Sequence, residues 1–157
     1  MYKATREFIK ARQPFAKFAL EVVTGVRKVG GGIDGKCYSN AHKLIDREKG
    51  VQIVSGWLVN KFDQKANLTA IIQHWWNADK DGFFDTTPNV AEHFEYVIDM
   101  DLATYVTEND DKIESYVAYS IMLKDGAFSV VDMDEHNVKN IPINELRTEF
   151  LYQRGVK

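Results

Sequence analysis

The chain has 157 residues, of which 45% are hydrophobic, 27% charged and 12% aromatic, and its formal net charge at pH 7 is −3. This length and composition are typical of one soluble domain with a core of ordinary size, so we expect residues 1–157 to form a single domain. The single cysteine excludes an internal disulfide and thus a disulfide-stabilised secreted scaffold. Because no stretch of about 18 apolar residues and no signal peptide occurs, we expect a cytoplasmic protein without a membrane span.

The first 35 residues are predicted to be helical. Apolar residues recur at helical spacing from Phe8 to Val26, and Pro14 interrupts them. Since proline is tolerated in the first turn of a helix but not in its interior, the pattern predicts a short helix over residues 3–11 and a longer one over 14–28. Residues 1–36 hold eight Lys or Arg against three Asp or Glu, which favours a solvated helix face over a surface for an acidic partner.

The only cysteine, Cys37, is predicted to lie in the first turn of the next helix. That helix covers residues 36–48, with Leu44 and Ile45 on its apolar side, and ends at Gly50. Free backbone N–H groups and the positive end of the helix dipole favour a thiolate at this position and could hold an oxyanion. Cys37 is therefore a candidate nucleophile, and the alternative is a small buried core residue.

The strands predicted next bring a histidine and a carboxylate together. Their β-branched and aromatic residues place them at residues 51–59, 68–77 and 83–87. A loop of residues 78–81, with Asn77 opposite Gly82, puts His74 directly opposite Asp85, at a cross-strand Cβ separation of about 5 Å. A carboxylate at that separation can bond to an imidazole N–H. A slip of one residue would break the pair.

No metal site or other cofactor is predicted. Residues 77–82 have the ligand spacing of the first half of an EF-hand loop, but Pro88 stands where the bidentate glutamate should be, so a hairpin turn is favoured over calcium. One cysteine and four scattered histidines do not supply the spacing of a zinc site. As a base beside Cys37, His74 has competitors in His42, His93 and His136, and it could instead be a structural histidine.

The remainder, residues 89–157, is predicted to complete a mixed fold. Strands are expected over residues 94–98, 115–123 and 127–132, a polar acidic loop over 108–111, and a C-terminal helix over 144–152. Nothing in this part or elsewhere indicates binding to nucleic acid.

Four short motifs follow one another between residues 36 and 88, and they resemble those of a known family. They read CYSNA from Cys37, VQIVSGW from Val51, HWW from His74 and DTT from Asp85. In order and approximate spacing they resemble the core of the transglutaminase-like branch of the papain-like cysteine enzymes, where a helix begins at the nucleophile and strands reading like ARYVSGY, HAW and DPT follow. The resemblance implies an α+β fold in which N-terminal helices and the Cys37 helix pack on an antiparallel sheet.

The resemblance also implies roles for three residues of this core. Cys37 would be the nucleophile, His74 the general base and acid, and Asp85 the group that orients and charges the imidazole. Nucleophilic catalysis by a thiol needs the same groups, since a free thiol is only a few per cent ionised at neutral pH and requires a neighbouring base or helix terminus. Residues 36–88 would then be the catalytic core.

These features predict an enzyme that attacks an amide or ester carbonyl, as peptidases, amidases, deamidases and transglutaminases do. The expected partner is an amide- or ester-containing substrate, proteins included, with neither nucleic acid nor a membrane involved. The alternative is a catalytically silent domain of the same fold that serves as a protein-binding or inhibitory module through its basic N-terminal part or its acidic loop. Further candidates for an oxyanion donor or a substrate pocket are Asn40, Asn77, Trp57 and Trp75, although tryptophans are more often core residues than a substrate platform.

Overall fold

The computed structural model describes residues 1–63, 67–108, 120–133 and 136–152, and these form an α+β fold, as predicted. Within them, the helices are α1 Lys3–Arg12, α2 Cys37–Arg47, α3 Met100–Glu108 and α4 Thr148–Tyr152. The strands, which belong to one sheet, are β1 Glu21–Val23, β2 Arg27–Lys28, β3 Gln52–Asp63, β4 Leu68–Asp79, β5 Gly82–Asp85, β6 Glu95–Ile98, β7 Ser120–Lys124, β8 Ala127–Met133 and β9 Val138–Pro142.

The longer N-terminal helix predicted over residues 14–28 is wrong, whereas the short helix over 3–11 is confirmed as α1. The chain makes one 3-10 turn at Gln13–Phe15 and then enters two short strands. β1 pairs antiparallel with β6, and β2 pairs parallel with β5. The valines of this segment favour extended backbone, and Gly25 between the strands has a φ of 72°, which a helix interior does not allow.

The sheet is largely antiparallel and divides along β4. Its strand order is β1-β6-β3-β4-β7-β8-β9, and β5 lies beside the end of β4 and carries β2. β4 pairs with β7 from Leu68 to Ile72 and with β5 from Asn77 to Asp79. Residues 73–76 of β4 lie between these two ladders, and on this edge they pair with none of the described strands. His74 lies in this division of the sheet.

Helix α2 packs against β4 beside the division, in agreement with the prediction that the Cys37 helix packs on the sheet. The Tyr38 ring meets the Trp75 ring edge-on, with the centroids 4.9 Å apart. The Asn77 amide donates a 3.0 Å hydrogen bond to the carbonyl oxygen of Ala41. These contacts hold the N-terminus of α2 next to the middle of β4.

The two faces of β4 carry different clusters because side chains alternate along a strand. Trp75 belongs to the main core, which also contains Trp57 and residues of α1 and α3. Trp76 belongs to a smaller cluster with Val54, Leu58 and Tyr96 on the opposite face. His74 shares the second face, two residues before Trp76.

Gly56 in β3 lies opposite His74 in the ladder with β4. A Cβ atom there would lie 2.0 Å from the carbonyl oxygen of Val97 and 2.7 Å from the Trp76 ring. Because that oxygen cannot move without disturbing the pairing of β3 with β6, we expect Gly56→Ala to lower the free energy of unfolding by about 2–3 kcal/mol, measured by urea denaturation. Gly30→Ala is the control, since its Cβ would have nothing within 4 Å. Equal urea midpoints for the two variants would contradict this expectation.

The C-terminal third follows the predictions in part. The strands expected over residues 94–98 and 127–132 are present as β6 and β8, and the strand over 115–123 is present as β7 from residue 120. Residues 115–119 and the 109–111 part of the predicted polar loop lie outside the described residues. The C-terminal helix begins only at Thr148, and α3 and β9 were not predicted. In the described part of the chain, no helix has both the length and the apolar character needed to cross a bilayer.

Candidate active site

An open cavity of about 660 Å³ lies where the N-terminus of α2, the middle of β4 and the segment after β5 meet. Cys37 and His74 both line it. The other side chains of its lining are polar near α2 and largely apolar on the far side, where they include Leu58, Ile72, Pro88, Val90 and Phe94. A thiol and an imidazole therefore line the same cavity as an apolar wall.

Cys37 is the first residue of α2 and so lies in its first turn, as predicted, and its side chain is a half-buried free thiol. The chain reaches it through Gly35, which has a φ of 72° that glycine adopts without strain. The first N–H groups of an α-helix have no acceptor within the helix and carry the positive end of its dipole. The thiol is thus placed where a negative sulfur would be stabilised.

His74 and Asp85 form a buried ion pair. The Nε2 atom of His74 lies 2.7 Å from Oδ2 of Asp85, and the residues are 4% and 1% exposed. Asp85 also accepts hydrogen bonds from the Tyr96 hydroxyl on Oδ2, at 2.6 Å, and from the Thr87 backbone N–H on Oδ1, at 3.0 Å. Burial raises the pKa of Asp85, but the bonds from His74, Tyr96 and Thr87 and the His74 charge outweigh burial and hold it below its ordinary value.

The imidazole of His74 is held in its charged form. Burial alone lowers its pKa, but hydrogen bonds with Asp85 and Cys37, together with their negative charges, raise the pKa to about 9. Nε2 is the ring nitrogen that faces Asp85. An imidazolium that contacts a thiol on one side and a carboxylate on the other is therefore the main form at neutral pH.

The predicted hairpin register is wrong by two residues, although the contact that it was meant to explain is present. Asn77 lies opposite Phe84 instead of Gly82, and Gly82 lies opposite Asp79. The connecting loop is thus two residues shorter than expected. Because side chains alternate along a strand, a shift of two leaves His74 and Asp85 on the same face as diagonal neighbours. Their side chains still span the distance.

Asn40 and Asn77 have other partners and lie outside the cavity lining. The Asn40 amide accepts a bond from the Ile33 N–H and donates to the Ile33 carbonyl oxygen and the Thr87 hydroxyl, at 2.9–3.1 Å. Gly32 passes so close that a Cβ there would lie 2.7 Å from the Asn40 amide nitrogen. The Asn77 amide bonds to the backbone of Ala41 and Gln52. Asn40 therefore holds the glycine loop and Thr87 against α2, and Asn77 holds α2 on the sheet.

The two tryptophans proposed for a substrate pocket lie in the core. Trp57 is fully buried, and its indole N–H donates to Asp99 Oδ2 at 3.0 Å. Trp75 is 2% exposed and packs against Tyr38. Neither lines the cavity that holds Cys37.

The competing histidines lie elsewhere on the molecule. His42 is exposed on α2, where its ring stacks on Tyr38. His93 lies 2.9 Å from the side-chain oxygen of Asn60, and His136 is exposed. His74 is the histidine that lines the cavity with Cys37.

The turn after β4 has the contacts of a hairpin. Oδ1 of Asp79 accepts bonds from the Arg27 guanidinium and from the Asp81 N–H, both at 2.8 Å. No group of three or more His, Cys, Asp or Glu side chains suited to a metal ion occurs among the described residues.

Two residues next to Asp85, Tyr96 and Lys28, were not predicted from the sequence. Besides donating to Asp85, the Tyr96 hydroxyl accepts a 2.7 Å hydrogen bond from the ammonium group of Lys28. Strand periodicity places Tyr96 on one face of β6 but carries no sign of a bond to Asp85. Lys28 fell in the segment wrongly predicted as helix. Neither residue belongs to a motif that could have revealed it.

Comparisons of the chain with models of known protein families, with curated proteins and with solved structures found no match. The resemblance of residues 36–88 to the transglutaminase-like enzymes thus stays a prediction based on the residues themselves.

Proposed function

We propose that the protein is a cysteine-dependent acyl-transfer enzyme with a papain-like, transglutaminase-like core. The observation that carries the proposal is the buried imidazole of His74, which lies 2.7 Å from the Asp85 carboxylate and lines the same cavity as the Cys37 thiol. A structural histidine needs only one such partner, and a buried inert thiol needs no base at the wall of an open cavity. Nucleophile, base and orienting carboxylate are the parts of a catalytic triad.

The reaction begins with the sulfur of Cys37 in its ionised form and His74 protonated. The sulfur attacks the carbonyl carbon of an amide or ester, and the carbonyl electron pair moves to oxygen. When the tetrahedral intermediate collapses, His74 gives its proton to the departing amine or alcohol, and an acyl group stays on sulfur. Water or an amine then gives its proton to His74 and takes the acyl group, and the thiolate leaves.

The negative oxygen of the intermediate needs hydrogen-bond donors nearby. The backbone N–H groups at the start of α2 supply them, because they lack acceptors within the helix and adjoin the attacking sulfur. Asn40 and Asn77 are less suited to this role, since their amides bond to other groups outside the cavity lining.

Acylation of Cys37 is the direct test of this proposal. The protein is mixed with p-nitrophenyl acetate at pH 6, and the release of p-nitrophenol and the intact mass are followed together. We expect one acetyl group on Cys37, formed with a rate constant at least about tenfold above that of glutathione, because an ordinary thiol is almost wholly protonated at this pH. Cys37→Ala is the control and should form no such adduct. Acetylation no faster than that of glutathione would contradict the proposal and favour the silent protein-binding domain.

A further inference from the structure

A lysine and a tyrosine form a second chain of hydrogen bonds that ends on Asp85. The ammonium group of Lys28, on β2, donates to the hydroxyl oxygen of Tyr96, on β6, at 2.7 Å. The Tyr96 hydroxyl lies 2.6 Å from Oδ2 of Asp85, the oxygen that also contacts His74. Lys28 further lies over the Tyr96 ring, with its nitrogen 4.7 Å from the centroid. Residues of β2, β5 and β6 thus meet behind the imidazole.

The direction of this chain is fixed by its donors. A lysine ammonium has only donors, so the lone pair of the Tyr96 oxygen is used by Lys28 and the single hydroxyl proton points to Asp85. Burial raises the pKa of Tyr96, as do the hydrogen bond with Asp85 and its charge, so the hydroxyl stays protonated. Burial lowers the pKa of Lys28, while the charges of Asp85 and Glu92 act in the opposite direction.

We infer that Lys28 and Tyr96 are positioning residues that act through Asp85 and weaken its hold on the imidazolium of His74. The Tyr96 hydroxyl donates a hydrogen bond that stabilises part of the negative charge on Oδ2, and the Lys28 ammonium adds a positive charge on the same side. Both effects disfavour a second positive charge on the imidazole. The role in catalysis rests on the proposed function, whereas the effect on His74 does not.

The consequence for the reaction is a proton that His74 releases more easily. A general acid and base works best with a pKa near the pH at which it operates, and Asp85 and Cys37 hold the His74 pKa well above neutrality. Without an interaction that lowers the His74 pKa, the imidazolium would keep the proton that the leaving group needs. The Lys28–Tyr96 pair supplies that interaction through Asp85, without contact with the substrate.

The charged and titratable groups around His74 come from several elements. Asp85 on β5 and Cys37 on α2 stabilise the imidazolium. Tyr96 on β6 and Lys28 on β2 oppose them through Asp85, and Glu92 faces Lys28. At the cavity, Asp34 and Lys36 carry opposite charges. A test must therefore remove Cys37, so that the effect of Lys28 and Tyr96 on the imidazole is measured without the contribution of the thiol.

The test follows the imidazole nitrogens of His74 by NMR from pH 5 to pH 11 in the Cys37→Ala protein. We expect Tyr96→Phe to raise the midpoint of His74 by about 0.5–1 pH unit, because Asp85 loses a hydrogen bond that stabilises its charge and therefore holds the imidazolium more strongly. Lys28→Met should raise the midpoint in the same direction, and Lys28→Arg, which keeps the charge, should restore it. Lys10→Met is the control for loss of a positive charge, since Lys10 is exposed on α1.

An unchanged or lowered midpoint in Tyr96→Phe and Lys28→Met would overturn the inference. Because Lys28 is exposed, we expect Lys28→Met to fold, and the His74 midpoint can be measured in it even if Tyr96→Phe does not fold. Failure of the inference is distinct from failure of the proposed function. Normal acylation of Cys37 in the wild-type protein with unchanged midpoints overturns the inference alone, whereas raised midpoints without acylation overturn the function alone.

Discussion

Replacing His74 with alanine is expected to slow the alkylation of Cys37 by iodoacetamide at pH 6 by about 100-fold. An ordinary cysteine has a pKa near 8.5, so less than about 1% of it is thiolate at pH 6. In the wild-type protein, the sulfur faces an imidazolium that Asp85 stabilises, and an ionised sulfur is the form that reacts. Without the imidazole, only the start of α2 favours the thiolate. The rate is measured by intact mass at equal reagent concentration.

The matched control is His42→Ala. His42 lies on the same helix as Cys37 but is exposed and bonds to neither Asp85 nor the thiol, so its loss should leave the alkylation rate within about twofold of wild type. Equal rates in the wild-type and His74→Ala proteins would show that Cys37 is an inert half-buried thiol.

Replacing Asp99 with alanine is expected to lower the free energy of unfolding by about 3–5 kcal/mol, because the buried Arg12 loses its hydrogen-bonded carboxylate and is left with Asp101, whose Oδ2 lies 3.9 Å from Nη2. Arg12 is fully buried, and its Nε lies 2.8 Å from Oδ2 of Asp99, which also accepts from the Trp57 indole. The same guanidinium bonds to the Leu146 carbonyl oxygen and the Thr148 hydroxyl at 2.8 Å. Arg12 thus ties α1 to the end of β6 and to α4.

Guanidinium chloride denaturation of Asp99→Ala and Glu7→Ala separates this effect from a general loss of charge. Glu7 pairs with Lys3 at 3.8 Å on the exposed face of α1, and exposed pairs contribute between about 0 and 1 kcal/mol. We therefore expect a large shift for Asp99→Ala and almost none for Glu7→Ala. Similar shifts in the two variants would contradict a stabilising role for the buried pair.

The core around Cys37 was predictable because its signals are local. The apolar stripe after Cys37 and the β-branched runs over β3 and β4 each fit one periodicity, and all three elements are present. The register of the hairpin was wrong because the loop was taken to cover residues 78–81, whereas Asp79 pairs with Gly82 and leaves a loop of two residues. The His74–Asp85 contact survived that error only because the error was an even number of residues.

The N-terminal segment was mispredicted because its structure is imposed by distant strands. Val22 and Val26 fit a helical stripe and a strand equally well, and the sequence nearby does not show that β6 and β5 offer edges more than 50 residues away. Tertiary pairing decided the outcome.

Helix α3 was missed for a related reason. Its sequence contains Thr104, Tyr105, Val106 and Thr107, residue types that favour strands. The helix is supported by contacts at its start, where the Ser55 hydroxyl accepts a 3.0 Å bond from the Ala103 N–H. Such a partner from a remote strand leaves no trace in the local pattern. The Lys28–Tyr96–Asp85 chain was hidden in the same way.

The most direct test of the account is the thiolate absorbance at 240 nm, taken as the difference between the wild-type and Cys37→Ala proteins and followed from pH 5 to pH 10. An ion pair between Cys37 and His74 predicts that the thiolate signal is already present at pH 6 and is lost there in His74→Ala. A signal that rises only above about pH 8, alike in the wild-type and His74→Ala proteins, would show an ordinary thiol and contradict the proposed nucleophile.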